Sequence, residues 1–121
     1  MSIENGKGKE GENAAAKYLQ SKNYIILKRN WRGQHKEIDI ICLDQDTLVF
    51  VEVKNRKVWG NIDIREIIPH HKIRNIIMGA EYYILENNPQ KNIRFDLIFI
   101  NTDLKPIKPY HIKDAFNALD F

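Results

Sequence analysis

Cysteine is nearly absent from this chain of 121 residues, since Cys42 is its single example. A lone cysteine forms no internal disulfide and no cysteine-based zinc site, so we expect a protein of the reducing cytoplasm. Long apolar runs are also missing. None approaches the roughly 18 residues of a membrane span, and the start of the chain lacks the apolar segment of a secretory signal. We therefore expect no membrane partner.

A glycine-rich phosphate loop is the next missing feature. The segment Gly6-Lys7-Gly8-Lys9 lacks the strand-to-helix context that such a loop requires. No His-Glu-x-x-His pattern occurs either, which removes the usual helical zinc site. Nothing in the sequence thus indicates a small-molecule substrate.

The composition is that of one globular domain spanning residues 1–121. Hydrophobic residues make up 43% of the chain, enough for one core without disulfides or metals. The net charge is +3, and residues 54–94 hold the excess, with eight basic and four acidic side chains. A second basic cluster, free of acids, comprises Lys28, Arg29, Arg32, His35 and Lys36. These stretches permit a nucleic-acid backbone as a partner without requiring one.

Two helices are predicted from apolar residues at helical spacing. The first covers about residues 8–22, and the second runs from Pro69, which suits a first helical position, to about Asn87. The expected buried stripes consist of Ala15, Tyr18, Leu19 and Lys22 in the first helix, and of Ile73, Ile76, Ile77, Ala80 and Ile84 in the second.

Four strands are predicted at residues 24–31, 37–43, 48–54 and 93–100 from their β-branched and aromatic content. A polar turn joins the second and third strands into a hairpin. We expect a loop around Trp59, a short strand near Tyr110 and a helical turn after Lys113. The resulting core order, α-β-β-β-α-β, indicates an α/β fold with a mixed sheet flanked by helices.

The hairpin contains the most informative side chains. A four-residue turn pairs Leu43 with Leu48, which makes Asp39 the cross-strand neighbour of Glu52, with Cβ atoms roughly 4.5–5.5 Å apart. A slip of one residue would place these two acids on opposite faces. The other face should be apolar throughout, formed by the pairs Cys42/Val49, Ile40/Val51 and Ile38/Val53.

The neighbouring carboxylates repel each other, so a cation, a shared proton or a nearby base must offset them. Lys54 follows on the same strand face, about 7 Å along from Glu52. This group suits Mg²⁺ (or Mn²⁺), with the Val53 carbonyl as a further oxygen ligand. Lys54 would then orient a water or stabilise charge on a phosphate. The alternative interpretation is a buried ion-pair cluster that only stabilises the hairpin.

Glu12 is a third acid of interest, because it shares the inward helix face with Ala15 and Leu19. A carboxylate on a packing face usually has a partner. The alternative is an acid of the first helical turn, favoured there by the helix dipole.

Several short motifs occur together between about residues 6 and 100. They are Gly11-Glu12 with Ala15 and Leu19, Tyr24 and Asn30, Glu37-Ile38-Asp39, Val49-Phe50-Val51-Glu52-Val53-Lys54 with Arg56, then Lys72 and Arg94-Phe95-Asp96. Their combination resembles the YraN-like family of small bacterial proteins. That family is similar to the PD-(D/E)-x-K nuclease superfamily, which includes restriction endonucleases and archaeal Holliday-junction resolvases. Lys36 departs from the family pattern, which usually has glycine there.

The resemblance implies a restriction-endonuclease-like fold and a Mg²⁺-dependent endonuclease acting on DNA, including branched or otherwise structured DNA. Glu12 matches the helix acid of the resolvase branch, Asp39 the metal-binding aspartate, and Glu52 with Lys54 the (D/E)-x-K pair. The expected catalytic set is therefore Glu12, Asp39, Glu52 and Lys54. The expected metal site is Glu12, Asp39, Glu52 and the Val53 carbonyl. The DNA backbone would be held by Arg32, Lys36, Arg56, Lys57, Lys72 and Arg74.

Two other functions stay open from the sequence, because a shared fold does not establish a shared activity. A non-catalytic nucleic-acid-binding module on the same scaffold would bind independently of Mg²⁺. An interaction subunit of a larger complex would neither bind nor cleave. The composition does not choose between a monomer and a homodimer, or between DNA and RNA.

Overall fold

A computed structural model describes residues 6–55 and 68–118 of the chain. Within these residues, five strands form a mixed sheet in the order β1-β2-β3-β4-β5. The elements in chain order are α1 (Gly6–Ser21), β1 (Ile25–Gly33), β2 (Lys36–Asp44), β3 (Thr47–Asn55), α2 (His70–Asn87), β4 (Asn92–Ile100) and β5 (Tyr110–Phe116). The predicted mixed α/β architecture is confirmed. The loop expected around Trp59 lies outside the described residues.

Helix α1 packs on one face of the sheet, which we call the α1 face. Ala15 and Leu19 are fully buried there, as their spacing predicted. The expectation for Lys22 is wrong, because this residue lies exposed in the turn that follows the helix. Asn23, with a left-handed φ of 70°, turns the chain away from the helical direction.

Helix α2 covers the opposite face, which we call the α2 face. It follows Pro69 and stops at Asn88, whose left-handed φ of 43° caps it. Of the predicted stripe, the first four members are buried and Ile84 is half-buried. Neither helix of the described ranges has the length and apolar character needed to cross a lipid bilayer.

Gly79 lets α2 approach strand β2 closely. A Cβ atom at this position would lie 3.2 Å from Lys36 Cβ and 3.3 Å from Ile38 Cδ1. Those distances are shorter than comfortable carbon–carbon contacts, so a larger side chain would push the helix away from the sheet.

The hairpin of β2 and β3 has the predicted register, with paired residues from Ile40/Val51 to Asp44/Thr47. Strand β3 then pairs in parallel with β4, which the chain reaches through α2, and β4 pairs antiparallel with β5. The helical turn expected after Lys113 is wrong for residues 114–116, which belong to strand β5. Strand β5 continues to Phe116, whose ring stacks on Phe95 at a centroid distance of 5.1 Å.

Strand β2 does not keep one apolar face along its whole length. Ile40 and Cys42 pack with the cluster beneath α1, as predicted, but Ile38 packs with the cluster beneath α2, beside Gly79. The expected Ile38/Val53 pair on one apolar face is therefore wrong. Residues two apart in a regular strand share a face, so β2 turns over at Asp39.

Candidate functional site

The ladder between β2 and β3 ends where the acidic residues begin. Its last pair is Ile40 with Val51, so Asp39 lies just beyond the paired segment. The backbone N–H of Val53 donates a 2.8 Å hydrogen bond to Asp39 Oδ2 instead of to a backbone carbonyl. The carboxyl group thus satisfies a main-chain donor that the separating strands have left without a ladder partner.

Glu52 lies beside Asp39 but is oriented by two lysines. Its carboxylate is buried, with a side-chain exposure of 5%, and Oε2 lies 3.8 Å from Lys54 Nζ and 3.7 Å from Lys72 Nζ. These distances are those of charge attraction without a good hydrogen bond. One lysine belongs to β3 and the other to the first turn of α2, so the buried acid connects the sheet with the helix.

The pKa of Asp39 is raised from 3.8 to about 8. Burial is the largest cause, and the charge of Glu52 together with a hydrogen bond to its carboxyl group adds to it. The Val53 N–H and the charge of Lys72 act in the opposite direction without cancelling the effect. Without a cation, Asp39 therefore keeps a proton at neutral pH.

Glu12 projects from the buried face of α1 and meets strand β1. Its Oε1 accepts hydrogen bonds from Arg29 Nε at 3.0 Å and from Asn30 Nδ2 at 2.9 Å, and Arg29 Nη2 lies 2.8 Å away. The predicted need for a partner is confirmed. The alternative of a first-turn acid does not apply, because α1 begins at Gly6 and has no acid in its first turn.

A small cavity joins these groups. It has a volume of about 70 Å³ and is lined by Gly8, Gly11, Glu12, Asp39, Val53 and Asn55. We call it the acidic cavity. Glu12 of α1 and Asp39 of β2 therefore meet beside Val53 of β3. The two acids are 27 positions apart in the sequence. Glu52 is not among the lining residues and lies behind Asp39, toward α2.

The donors at the acidic cavity are oxygen atoms, as a hard divalent cation requires. In the described ranges, no three His, Cys, Asp or Glu side chains are grouped closely enough to hold a metal ion by themselves. The structure thus brings Glu12 and Asp39 together with Val53 and keeps Glu52 next to Lys54. Mg²⁺ needs only one or two carboxylates and completes its shell with water, so the lining residues still fit this ion.

The basic residues expected to hold DNA fall into three groups. Arg32 and Arg74 are exposed, and Arg32 makes a long ion pair of 3.5 Å with Glu37. Lys36 and Lys72 are half-buried and turn toward protein partners, with Lys36 Nζ 3.2 Å from Asn75 Oδ1. The remaining expected contacts, Arg56 and Lys57, lie outside the described residues.

A second buried charge cluster is centred on Asp96, which is fully buried. Arg94 donates to both of its carboxylate oxygens at 2.8 and 2.9 Å, and also to Asp44 and Tyr24. His111 Nε2 lies 2.7 Å from Asp96 Oδ2, and His111 Nδ1 lies 3.0 Å from the hydroxyl of Tyr18.

Burial by itself would raise the pKa of Asp96. The hydrogen bonds from His111, from Arg94 and from the backbone N–H of Asp114 outweigh that effect and lower the pKa below its usual value. The cluster joins α1 to strands β2, β4 and β5 and shares no lining residue with the acidic cavity. We therefore interpret it as structural.

Sequence reasoning missed the groups that hold Glu12. Arg29 was recognised only as part of a basic cluster and Asn30 only as part of a motif. The available signal was Glu12 itself, since a buried carboxylate demands a donor. The sequence alone does not identify that donor, because the contacts cross 17 and 18 positions of the chain.

Comparison with known proteins identifies the family. The family model described as "Uncharacterised protein family UPF0102" matches residues 11–100. A UPF0102 protein of Persephonella marina is 43% identical over 117 residues, which cover 95% of this chain and 96% of that protein. Its counterpart in Flavobacterium psychrophilum is 36% identical, with 96% and 98% covered, and that of Chlorobium chlorochromatii is 41% identical, with 90% and 89% covered. The chain therefore belongs to the UPF0102, or YraN-like, family.

Proposed function

We propose that this protein is a Mg²⁺-dependent endonuclease that hydrolyses phosphodiester bonds in DNA, with branched or otherwise structured DNA as its preferred substrate. The observation that carries the proposal is the meeting of Glu12, Asp39 and Val53 at one cavity, next to Glu52 and Lys54. These are the positions that match the nuclease motifs. The element order also agrees with the restriction-endonuclease-like fold that the motif resemblance implies.

The acids of the site favour a cation. The pKa of Asp39 is raised to about 8 because its burial and the nearby Glu52 disfavour a second negative charge. A bound cation would offset both effects. Glu12 and Asp39, with a backbone oxygen of Val53, would hold Mg²⁺, and Glu52 would complete the acidic set from the α2 side. When bound, the ion would polarise a phosphoryl oxygen and lower the pKa of a coordinated water.

Lys54 is the residue of this chain best placed to assist the reaction. Its side chain is 29% exposed, and its Nζ lies 3.8 Å from Glu52 Oε2. It would donate a hydrogen bond to the attacking water or to the charge that develops on the phosphate. Glu52 and Lys72 restrict where this ammonium can lie, since Glu52 lies between the two lysines. The exposed Arg32 and Arg74 would bind the DNA backbone, and we extend the same proposal to Lys36, Arg56, Lys57 and Lys72.

Cleavage of labelled DNA tests the proposal. Four-way junction, flap, single-stranded and plain duplex DNA would each be incubated with the protein in Mg²⁺, in Mn²⁺ and in EDTA. We expect metal-dependent cutting, strongest on a branched substrate, and a loss of at least about 100-fold in Lys54→Ala, in line with the contribution of a positioned proton donor.

Lys91→Ala is the matched control for Lys54→Ala. Lys91 has a similar exposure, 33%, and a similar ion pair, 3.8 Å from Asp46, but it lies at the other end of the hairpin. It should cut like the wild type. Cutting that survives both Lys54→Ala and Glu52→Ala would refute the proposed roles of these residues or expose a contaminating nuclease. Salt-dependent binding without cutting would indicate a non-catalytic DNA-binding module, and the absence of both would indicate an interaction subunit.

A further inference from the structure

Strand β1 changes faces at Asn30. Arg29 points to the α1 face, where it contacts Glu12 and Asn13 of the helix. Trp31, two residues later, packs on the α2 face with its ring edge against Tyr83. Residues two apart in a regular strand share a face, so the chain turns over between these two side chains.

Strand β2 makes the same change directly opposite. The two strands pair Arg29 with Ile40 and Trp31 with Ile38, so Asn30 and Asp39 occupy the position between these pairs. Ile40 belongs to the cluster beneath α1, whereas Ile38 belongs to the cluster beneath α2. Both strands therefore turn over together at Asn30 and Asp39. We call this position the face switch.

Asn30 has the backbone that a face switch needs. Its φ is 53°, in the left-handed region, although it lies in the middle of a strand. Asparagine is one of the few residues other than glycine that adopts this conformation readily. A β-branched residue, which a strand would normally favour, would be strained at this position.

The side chain of Asn30 also contacts Glu12, one of the residues that line the acidic cavity. Its Nδ2 donates a 2.9 Å hydrogen bond to Glu12 Oε1, the same oxygen that Arg29 contacts. Two donors on one oxygen hold the carboxylate in a single orientation and direct its other oxygen elsewhere. The face switch thus places Asp39 at the cavity, and the amide at the switch orients Glu12 there.

We propose that Asn30 is a positioning residue of the metal site. Its left-handed backbone makes the face switch that places Asp39, and its amide orients Glu12 toward the same cavity. This inference rests on the proposed function, since it assigns Asn30 a part in preparing the two acids for a divalent cation. Removal of a group that orients a metal ligand typically costs about 10–100-fold in metal affinity or activity.

The variant Asn30→Gly separates the contribution of the side-chain amide from that of the backbone conformation. Glycine adopts a φ of 53° without strain, so the face switch is kept while the hydrogen bond to Glu12 is lost. Asn23→Gly is the matched control. Asn23 is also an asparagine with a left-handed φ, 70°, and is exposed, but it lies in the turn after α1. The substitution and the left-handed φ are thus alike, and the contact with Glu12 is made by Asn30.

The experiment compares wild type, Asn30→Gly and Asn23→Gly in three measurements: Mn²⁺ affinity by isothermal titration calorimetry without DNA, cleavage of a labelled four-way junction, and thermal unfolding in EDTA. We expect Asn30→Gly to bind Mn²⁺ about tenfold more weakly and to lose at least tenfold in kcat, with an unchanged KM for DNA. Asn23→Gly should match the wild type in both respects, and the two variants should unfold at similar temperatures.

Two results would overturn the inference, and they differ in what they leave standing. If the wild type binds Mn²⁺ and cuts DNA, and Asn30→Gly does so equally well, Asn30 has no positioning role and the proposed nuclease function stands. If the wild type neither binds Mn²⁺ nor cuts DNA, the proposed function fails and the inference fails with it.

Discussion

Val53 and Asp39 are joined by a 2.8 Å hydrogen bond in which a backbone N–H of β3 donates to a side chain of β2. This contact replaces a rung of the sheet at the point where the two strands separate. It draws a carboxyl group into the protein beside Glu52, where burial and like charge both disfavour its ionisation. The arrangement weakens the fold locally and is suited to receive a cation.

Asp39→Asn should therefore stabilise the protein in the absence of metal. The amide keeps the size of the side chain and an oxygen for the Val53 N–H, but it removes a buried acid that faces Glu52. We expect a gain of about 1 kcal/mol, or roughly 4 °C in Tm, in EDTA at pH 7.5. Thermal unfolding monitored by circular dichroism measures the change.

Mg²⁺ should reverse the order of stability. A ligand present at about 100 times its Kd adds roughly 2.7 kcal/mol to the protein that binds it, so the wild type should gain more than the variant. Asp46→Asn, which changes a fully exposed acid on the same hairpin, is the control and should behave like the wild type. A lower Tm for Asp39→Asn than for the wild type in EDTA would contradict the prediction.

Asp96→Asn should destabilise the protein by about 3 kcal/mol, because it leaves the half-buried Arg94 guanidinium without its two-point partner. Urea unfolding at pH 7 measures the loss. The same Asp46→Asn variant, which affects only a solvent-exposed pair, should change the free energy of unfolding little.

The pH dependence of stability provides a second test of Asp96. Its pKa is lowered in the folded protein, so the stability that it contributes is present above the unfolded value near 3.8 and is lost as the pH falls through the lower folded value. The wild type should lose stability steeply below about pH 4. The stability of Asp96→Asn should fall less steeply at acidic pH. An equally steep fall in both proteins would show that Asp96 is not responsible for the loss.

Gly79→Val should destabilise the contact between α2 and β2 by about 2 kcal/mol, because added carbon atoms would collide with Lys36 and Ile38. Glu81→Val on the exposed side of the same helix measures the intrinsic cost of valine in α2, which should be about 0.5 kcal/mol. The difference in the free energy of urea unfolding between the two variants reports the close approach. Equal costs would show that the contact can relax.

Arg32→Ala should weaken DNA binding without regard to sequence. Its side chain is 63% exposed, and its guanidinium makes a 3.5 Å ion pair with Glu37. Loss of one phosphate contact should lower the slope of log Kd against log salt by about 0.9. Fluorescence anisotropy at several salt concentrations measures the slope, and an unchanged slope would place Arg32 away from the DNA. Lys22→Ala, an exposed residue after the far end of α1, should leave it unchanged.

The register of the hairpin was predictable from the sequence because it depends on local information. A polar turn between two alternating strands admits few pairings, and the pairs from Ile40/Val51 onward follow from it. The stripe of α2 was predictable for the same reason, since helical spacing fixes which side chains share a face.

Other features were not predictable because they depend on distant parts of the chain. Ile38 lies on the α2 face because β2 turns over at Asp39, opposite the left-handed Asn30 of the neighbouring strand. The exposure of Lys22 follows from the turn at Asn23, which helical spacing alone does not reveal. Neither effect leaves a periodic pattern in the sequence.

The elements, the pairing of β2 with β3 and the acids of chemical interest could all be inferred from the amino-acid sequence. Those conclusions rest on periodicity, turn chemistry and motif spacing, which are properties of neighbouring residues. Which of these acids meet depends on how the chain folds. Glu12 and Asp39 share a cavity while Glu52 turns toward Lys54 and Lys72, because the face switch and the approach of α2 redirect side chains by backbone geometry and packing across the sheet.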